Sequence, residues 1–413
     1  MNDLPARGPG SRRLLAVVIA TTAMSILSFS LIYPALPDLA DEMGVSRGAI
    51  GLVQGAVAVP GIVLAIAIGW FSDRFGRRAT VQISLALFGS AGLAGFVVRD
   101  FWPLVGLRVV QGVGAAGLVT LGVVVIGDLF RGKERRWALG INGAGITATS
   151  MIAPVVGGLL ARGGAFRPFL VYGLALPMII PAAFLPGRKA GARPAAPIAH
   201  VRGMLTALRE SGRLADFLGL LPMTVLVLGI GFGFGFTTTP LYLEAEFGLD
   251  AFERGLIQAI LSVGAVVSSL ASGRFAARMT GSHILDMSIA AVVVGFGVLA
   301  AAPGLVFVSA GVFLVGFGLG ALFPVFQDMA SSAAPAVYRG AAVGTWLSSN
   351  RLGQSAGPVA ASLLAVGIGG RPSYALAGAV VAAVAVAWRP ARRLANRPPR
   401  GDGQTPPAGN LGV

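Results

Sequence analysis

The sequence predicts an all-α membrane protein of twelve transmembrane helices, built as two pseudo-symmetric six-helix bundles, and three observations predict it. Hydrophobic residues make up 55% of the 413 and charged residues only 12%, with a mean hydropathy of +0.79. That is more apolar surface than a water-soluble core of this size can hide. Apolar runs of the length needed to cross a bilayer, about 20 residues, follow one another with short polar breaks between them. Landmarks in the first six runs then recur in the last six.

In order, the runs cover 14 to 35, 48 to 70, 79 to 98, 102 to 126, 137 to 161 and 167 to 186, then 215 to 239, 255 to 273, 284 to 303, 305 to 327, 340 to 367 and 372 to 388. The first follows Arg12 and Arg13 and has no small-residue cleavage site behind it, so it is expected to stay as a helix. All the runs are continuously apolar and do not alternate, which excludes a closed barrel. The only long polar interruption, Leu185 to Asp216, is rich in Arg, Pro, Ala and Gly. The expected division is a bundle over 1–186, a cytoplasmic central loop over 187–214, a bundle over 215–390 and a disordered cytoplasmic tail over 391–413.

A net charge of +15 raises the question of a nucleic-acid partner, and the placement of the cations answers it. Of the 32 Lys and Arg, Arg47, Arg99, Arg162, Arg167, Arg254 and Arg371 fall on one side of the membrane and Arg108 and Arg351 inside helices. The rest share the side of both tails and the central loop. This is the positive-inside asymmetry, so the charge orients the chain with both termini cytoplasmic in an inner (plasma) membrane. The expected partners are the lipid bilayer and a small-molecule substrate, with no nucleic acid, and the chain is expected to be a monomer.

The repeat has one offset, 204 residues. Gly69 and Phe71 match Gly273 and Phe275, Arg74 matches Arg278, Gly112 and Gly114 match Gly316 and Gly318, and Pro154 matches Pro358. Parallel repeats of this kind suit a carrier that holds its solute near the midplane between the halves. Catalytic chemistry has little to work with. There is no Cys, His200 and His283 are too far apart in sequence for ligand spacing, and the glycines lack the strand-turn-helix context or the Gly-Lys-Ser/Thr of a nucleotide site. No metal site, no cofactor, no ATP drive and no enzyme activity are expected.

Between the second and third runs stands Gly69-Trp70-Phe71-Ser72-Asp73-Arg74-Phe75-Gly76-Arg77-Arg78. Gly69 allows a neighbouring helix close, Gly76 allows a tight turn, and Asp73 suits the positive end of a facing helix. This segment resembles the loop signature of the major facilitator superfamily, G-x-x-x-D-R-x-G-R-R, at every specified position. The resemblance implies a cluster that latches the halves together in the outward-facing state, with Asp128 at the end of the fourth run paired to Arg77. The alternatives are that Arg74, Arg77 and Arg78 only set topology and that Asp128 is a solvated helix-end acid.

The fourth run carries Leu107-Arg108-Val109-Val110-Gln111-Gly112-Val113-Gly114-Ala115-Ala116-Gly117, which looks like the family's R-x-x-Q-G-x-G-A-A. An Arg inside a membrane helix needs a partner or a wet cavity. The resemblance implies a proton-coupling role for Arg108, with Gln111 beside it, and the alternative is a structural Arg that bonds backbone carbonyls. On the fifth run, Pro154, Gly157 and Gly158 resemble the end of the antiporter motif, with Ala153 and Thr149 where glycines are expected. Pro154 and its counterpart Pro358 are candidate hinges, and Gly157 and Gly158 permit tight packing.

The segment Tyr33-Pro34-Ala35-Leu36-Pro37-Asp38 is similar to that of the drug-exporting branch of the superfamily, with its 12-helix drug:proton antiporters, but Ser30 stands where one group carries an Asp. Ser30 and Tyr33 remain candidates for coupling or substrate contact. No Asp or Glu falls in the middle of any run, whereas Arg351 does, next to Asn350. Two buried cations without a buried anion suit an anionic or neutral solute better than a cationic drug. The alternative pairs Arg351 with Asp328 or with helix ends. Phe232, Phe234 and Phe236, followed by Thr237 to Thr239, either line the cavity or pack, since alternate helical positions face different sides.

The resemblance spans the whole chain, strongest over 34 to 158 and weaker in the second half, where Ala277 replaces the loop motif's Asp. It implies a secondary transporter that exports a small organic molecule, a drug or metabolite, by alternating access, with the proton gradient as driving force. An uptake carrier for a sugar or an organic anion would share the same physical features. A membrane enzyme or receptor would need a polar catalytic cluster or an appended soluble domain, which the sequence does not show.

Overall fold

The structure is a computed structural model that describes residues 9–185, 187, 197–275 and 281–388. The described residues are 87% helical and contain no strand. Lipid offers the backbone no partners, so helices that satisfy their own hydrogen bonds are what these apolar runs must form.

The first part of the chain holds α1 (Pro9–Ser30), α2 (Leu36–Glu42), α3 (Gly51–Gly55), α4 (Val59–Phe75), α5 (Arg77–Ala94), α6 (Phe101–Leu129), α7 (Gly132–Ala161) and α8 (Ile179–Ala182). The second part holds α9 (Pro197–Glu210), α10 (Leu214–Phe232), α11 (Thr239–Phe247), α12 (Ala251–Phe275), α13 (Gly281–Ala301), α14 (Leu305–Ala333), α15 (Arg339–Ile368) and α16 (Gly370–Ala387). Every predicted run falls on helical segments. Eight stretches among the described residues are long and apolar enough to cross a membrane, and Gly51–Leu64 and Arg167–Ala182 are shorter apolar helices. The predicted third and eleventh runs lie on α5 and α15, which are more polar and are not among the eight.

Several boundaries differ from the sequence expectation. The first run lies within one candidate span, Arg12–Glu42, but is not a single unbroken helix. α1 stops at Ser30, and Pro34 and Pro37, which cannot donate to a helical ladder, set off a 3₁₀ turn at Tyr33–Ala35 and then α2. The sixth run is not a regular helix either. Pro168, Pro177 and Pro181 divide it into the 3₁₀ segment Arg167–Ala175 and the single turn α8. The central loop is not all loop, because α9 buries Met204 and Leu208, one turn apart, against the second part of the chain. The tail over 391–413 lies outside the described residues.

Two apolar cores form, one centred on α1 to α8 and one on α9 to α16, and Phe236 packs against both. Contacts inside them recur at the repeat offset. A Cβ on Gly112 would overlap the Val57 carbonyl and one on Gly316 the Leu261 carbonyl; Gly114 meets Ser84 and Gly318 meets Ser288 in the same way. Between the cores, α7 packs on α12, and α3 and α4 pack on α15. The two ends of the molecule are distinguished by their loops. One end, termed the far end, carries residues 43–50 and 248–250, and the other, the near end, carries residues 73–78.

Candidate functional site

The seams between the two halves are lined with glycine, which lets backbone touch backbone. A side chain on Gly51 would overlap the carbonyl of Pro358, and one on Gly255 would overlap the carbonyl of Pro154. These contacts are reciprocal under the repeat, since Gly255 follows Gly51, and Pro358 follows Pro154, by the same 204 residues. Gly158 sits against Ala251 and Phe252 of α12, and Gly157 against the Leu31 backbone. On the other seam, Ser362 donates to the Gly48 carbonyl at 2.8 Å, and Gly55 meets the Ser355 carbonyl. Both prolines lie inside continuous helices, α7 and α15.

Among the described residues, three ion pairs cross between the halves at the far end. Arg47 reaches Glu244 at 2.9 Å, Arg162 reaches Asp250 at 2.6 Å, and Arg254 pairs with Asp38. Burial nudges the Asp250 carboxyl upward, but the Arg162 hydrogen bond and the backbone N–H groups of Glu253 and Phe252 outweigh it and hold the group below its ordinary value. Arg254 corrects the sequence reading, which placed it in an outer loop and counted only two buried cations. Its side chain is 1% exposed. The sequence shows an Arg near a helix start, and nothing local marks an ion-pair partner 216 residues away.

At the near end, Gly76 adopts φ +95° between α4 and α5, a conformation L-residues avoid. Arg77 then donates from Nε to Asp128 Oδ2 at 3.1 Å and from Nη1 to the Ser72 hydroxyl at 2.8 Å, which ties α5 to α4 and α6. Arg78 donates to the Leu185 carbonyl at 3.1 Å, and Arg74 lies 5.9 Å from the Phe75 ring centre. The surroundings of Gly69 and the side chain of Asp73 lie outside what the structure describes, as do Ala277 and Arg278.

The two helix-borne arginines have different surroundings. Arg108, fully buried, donates to the Val53 carbonyl at 3.0 Å, to Gln111 Oε1 at 2.6 Å and to the Ser28 carbonyl. Its hydrogen bonds close within the first half, as in the structural alternative. Arg351 projects from α15 across to the other half. Its stem lies on Gly61 of α4, its guanidinium stands 5.5 Å from the Phe29 ring centre, and Nη1 donates to Gln354 Oε1 at 2.8 Å. No Asp or Glu among the described residues is within ion-pair distance of it. Asp328 is exposed and does not pair with it.

Elsewhere between the halves, Tyr33 stacks on Phe236 at 4.8 Å between ring centres, and Phe236 stacks on Phe232 at 5.3 Å. This ladder of rings bridges the halves. Phe234 instead packs against Phe296 and Tyr374 in the second core. A π-helical turn at Gly233–Thr238 sets this arrangement. Gln258 donates to the Gly235 carbonyl and Thr239 to the Phe234 carbonyl within it, each at 2.9 Å. Thr237 and Thr238 are buried and do not line an open surface. The Ser30 hydroxyl bonds back to the Ile26 carbonyl at 3.0 Å, and Asn350 is buried with its Oδ1 unpartnered.

A family model described as Major Facilitator Superfamily matches residues 18–302 and 224–410. Among curated relatives, the chain is similar to the Bacillus subtilis protein named uncharacterized MFS-type transporter YceJ, 28% identical over 76% of this chain and 83% of that one. It is also similar to multidrug resistance protein D of Escherichia coli, 27% identical over 36% of this chain and 37% of that one. The bacillibactin exporter of Bacillus subtilis is 29% identical over 35% and 37%. Apart from YceJ, the match spans less than half the length of these curated relatives. Among solved structures, a bacterial homolog of the human lysosomal transporter Spinster, inward-facing and unoccupied, superposes with a TM-score of 0.75 at 17% identity over 94% of this chain and 98% of that one. The human organic anion transporter MFSD10 gives 0.67 at 18% identity over 93% and 100%. Family model and fold agree, and the chain belongs to the major facilitator superfamily, whose members are carriers and not enzymes.

Proposed function

We infer that the protein is a secondary active transporter that exports a small organic molecule by alternating access, driven by the proton gradient. One observation carries the reading. Two halves, each with its own apolar core, meet along two seams whose glycine–proline contacts are exchanged by the repeat, so one half can rock on the other about a central space. The far-end ion pairs hold that side shut in this state. With both termini cytoplasmic, the far end faces outward, and the chain crosses the inner membrane twelve times as two six-helix bundles, 1–186 and 215–390.

Gly69, Asp73, Arg74, Gly76, Arg77, Arg78 and Asp128 serve as the cytoplasmic latch in this reading. Pro154, Gly158 and Pro358 lie on the seams on which the halves move, and Gly157 packs α7 on the Leu31 backbone within the first half as part of the same hinge. Export is supported by the partial antiporter motif at one seam and by the efflux and multidrug names of relatives. The test is transport in inverted and right-side-out vesicles, with toxic compounds and organic acids screened first for accumulation in a strain lacking the protein. Uptake into inverted vesicles that collapses with a protonophore is expected. Accumulation only in right-side-out vesicles would favour an uptake carrier, and indifference to the gradient would remove proton coupling.

A further inference from the structure

Of the charges set in the helices around the centre, one has every side-chain nitrogen hydrogen-bonded and one does not. A guanidinium presents five N–H donors in a planar fork. Arg108 directs its nitrogens at two backbone carbonyls and the Gln111 oxygen, all inside one half. Arg351 makes one hydrogen bond, to Gln354, and lies half-buried between halves against an aromatic ring and a glycine. A cation at this depth needs an acceptor, and the described residues supply no carboxylate.

The same face of α15 adds two donors. Ser348 is one turn before Arg351 and Gln354 one turn after it, the spacing that puts side chains on one helix face. The Ser348 hydroxyl is a buried polar atom with no partner. Gln354 uses its oxygen for Arg351, which leaves its amide N–H groups free to point elsewhere. The stripe therefore presents donors and one positive charge. Beside it, Phe29 of the first half offers an apolar ring face 5.5 Å from the guanidinium.

We propose that Ser348, Arg351 and Gln354 form the anion-recognising part of the transport site, and that the solute is an amphiphilic organic monoanion, a carboxylate on an apolar, ring-bearing body. A carboxylate matches the guanidinium fork with two parallel hydrogen bonds, which an ammonium or an amide cannot do. One unpaired cation neutralises one negative charge, which sets the solute as a monoanion. The Phe29 ring takes the body of the solute, and because it comes from the half opposite Arg351, occupancy bears on how the halves close. The proposal rests on the transporter reading above.

The test is equilibrium binding to the full chain, purified into lipid nanodiscs, by calorimetry. The probes are two matched sets: 2-naphthoate, 2-naphthamide and 2-naphthylmethylammonium, and the corresponding 3-phenylpropionate series. The carboxylates are expected to bind at least ~30-fold tighter than their amides and ammoniums, about 2 kcal/mol or more. Arg351→Gln should erase that preference and leave amide binding within about threefold, Arg351→Lys should keep part of it, and Ser348→Ala should weaken carboxylate binding ~3- to 10-fold. Melting temperature and gel filtration confirm that the variants are folded. If Arg351→Gln fails to fold, Arg351→Lys and Ser348→Ala carry the test. Ammonium binding as tight as carboxylate, no carboxylate binding, or a preference unchanged in the variants overturns the proposal. Counterflow of the same probes in proteoliposomes separates the two readings: carboxylates that bind without exchange of any probe would remove transport and leave the site, whereas ammonium exchange without carboxylate binding would remove the site and leave transport.

Discussion

Asp38 and Arg254 pair across the two halves with unequal burial, the carboxylate side chain 38% exposed and the guanidinium 1%. The acid is open to water, and the cation depends on it. Asp38→Asn is therefore expected to weaken the far-end closure by roughly 1–3 kcal/mol, less than for a fully buried pair because solvent screens the acid. The chain has no cysteine, so a single Ser355→Cys reports directly on the α3–α15 seam. Its alkylation by a membrane-impermeant maleimide should speed up about 5- to 100-fold in the Asp38→Asn background. An unchanged rate would show that this pair does not hold the seam.

Asp250 predicts where pH matters. Its folded value lies below the ordinary 3.8, so the charged form is favoured by closure. Its contribution is complete above that ordinary value and is lost as pH falls through the lowered one. The Arg162–Asp250 pair should therefore be silent between about pH 5 and 8 and should loosen only in stronger acid, below about pH 4. Arg162→Gln should abolish that acid-range change in maleimide accessibility. A response centred near neutrality that Arg162→Gln removes would contradict this assignment.

Gly51→Val and Gly255→Val should act alike. Each adds atoms where a proline carbonyl of the other half already stands, so the far-closed state should become inaccessible while each half keeps its core. Both variants should label rapidly at Ser355→Cys and lose transport, with the melting temperature changed far less than for a substitution inside a core. One variant that closes normally would show that the seams are not equivalent.

Arg108→Gln removes charged hydrogen bonds to two buried carbonyls and to Gln111, each worth about 1.5–3 kcal/mol. A marked drop in thermal stability is expected, with the ratio of carboxylate to amide binding unchanged in whatever protein folds. A stable Arg108→Gln protein that has lost only proton-driven transport would instead assign coupling to this residue.

Arg77→Gln is expected to slow transport while the folded yield persists, because the contact with Asp128 is partly exposed, each side chain at 16%. The exchanged pair Arg77→Asp with Asp128→Arg should recover part of the rate. No recovery, with both single variants inactive, would show that position and not charge complementarity matters.

What the sequence made legible was what repeats or what is local. The apolar runs lie on the helices, the loop motif folds through Gly76 with a left-handed φ, and Arg77 stands within reach of Asp128. The apolar runs pass straight through several prolines whose effect only the structure shows. Around Pro168, Pro177 and Pro181 the sixth run becomes a 3₁₀ segment and a single α turn, and at Pro34 and Pro37 a 3₁₀ turn interrupts the first. α9 escaped notice because its apolar pair, Met204 and Leu208, is embedded among Pro, Arg and Ala that read as a linker. Arg254 could not be found at all, since its burial depends on Asp38 from the other half. Arg108 and Arg351 looked equivalent in sequence, each a cation in a helix with a Gln three residues on, and only packing shows which one has acceptors.

The exchanged contacts Gly51–Pro358 and Gly255–Pro154 have the form of an isologous interface, in which patch i of one copy meets patch j of the other and the reverse holds at the second contact. Here both copies are in one polypeptide. An isologous interface closes on itself, so both copies of the patch are used up inside the chain, and neither is left over to recruit a second molecule through the same contact.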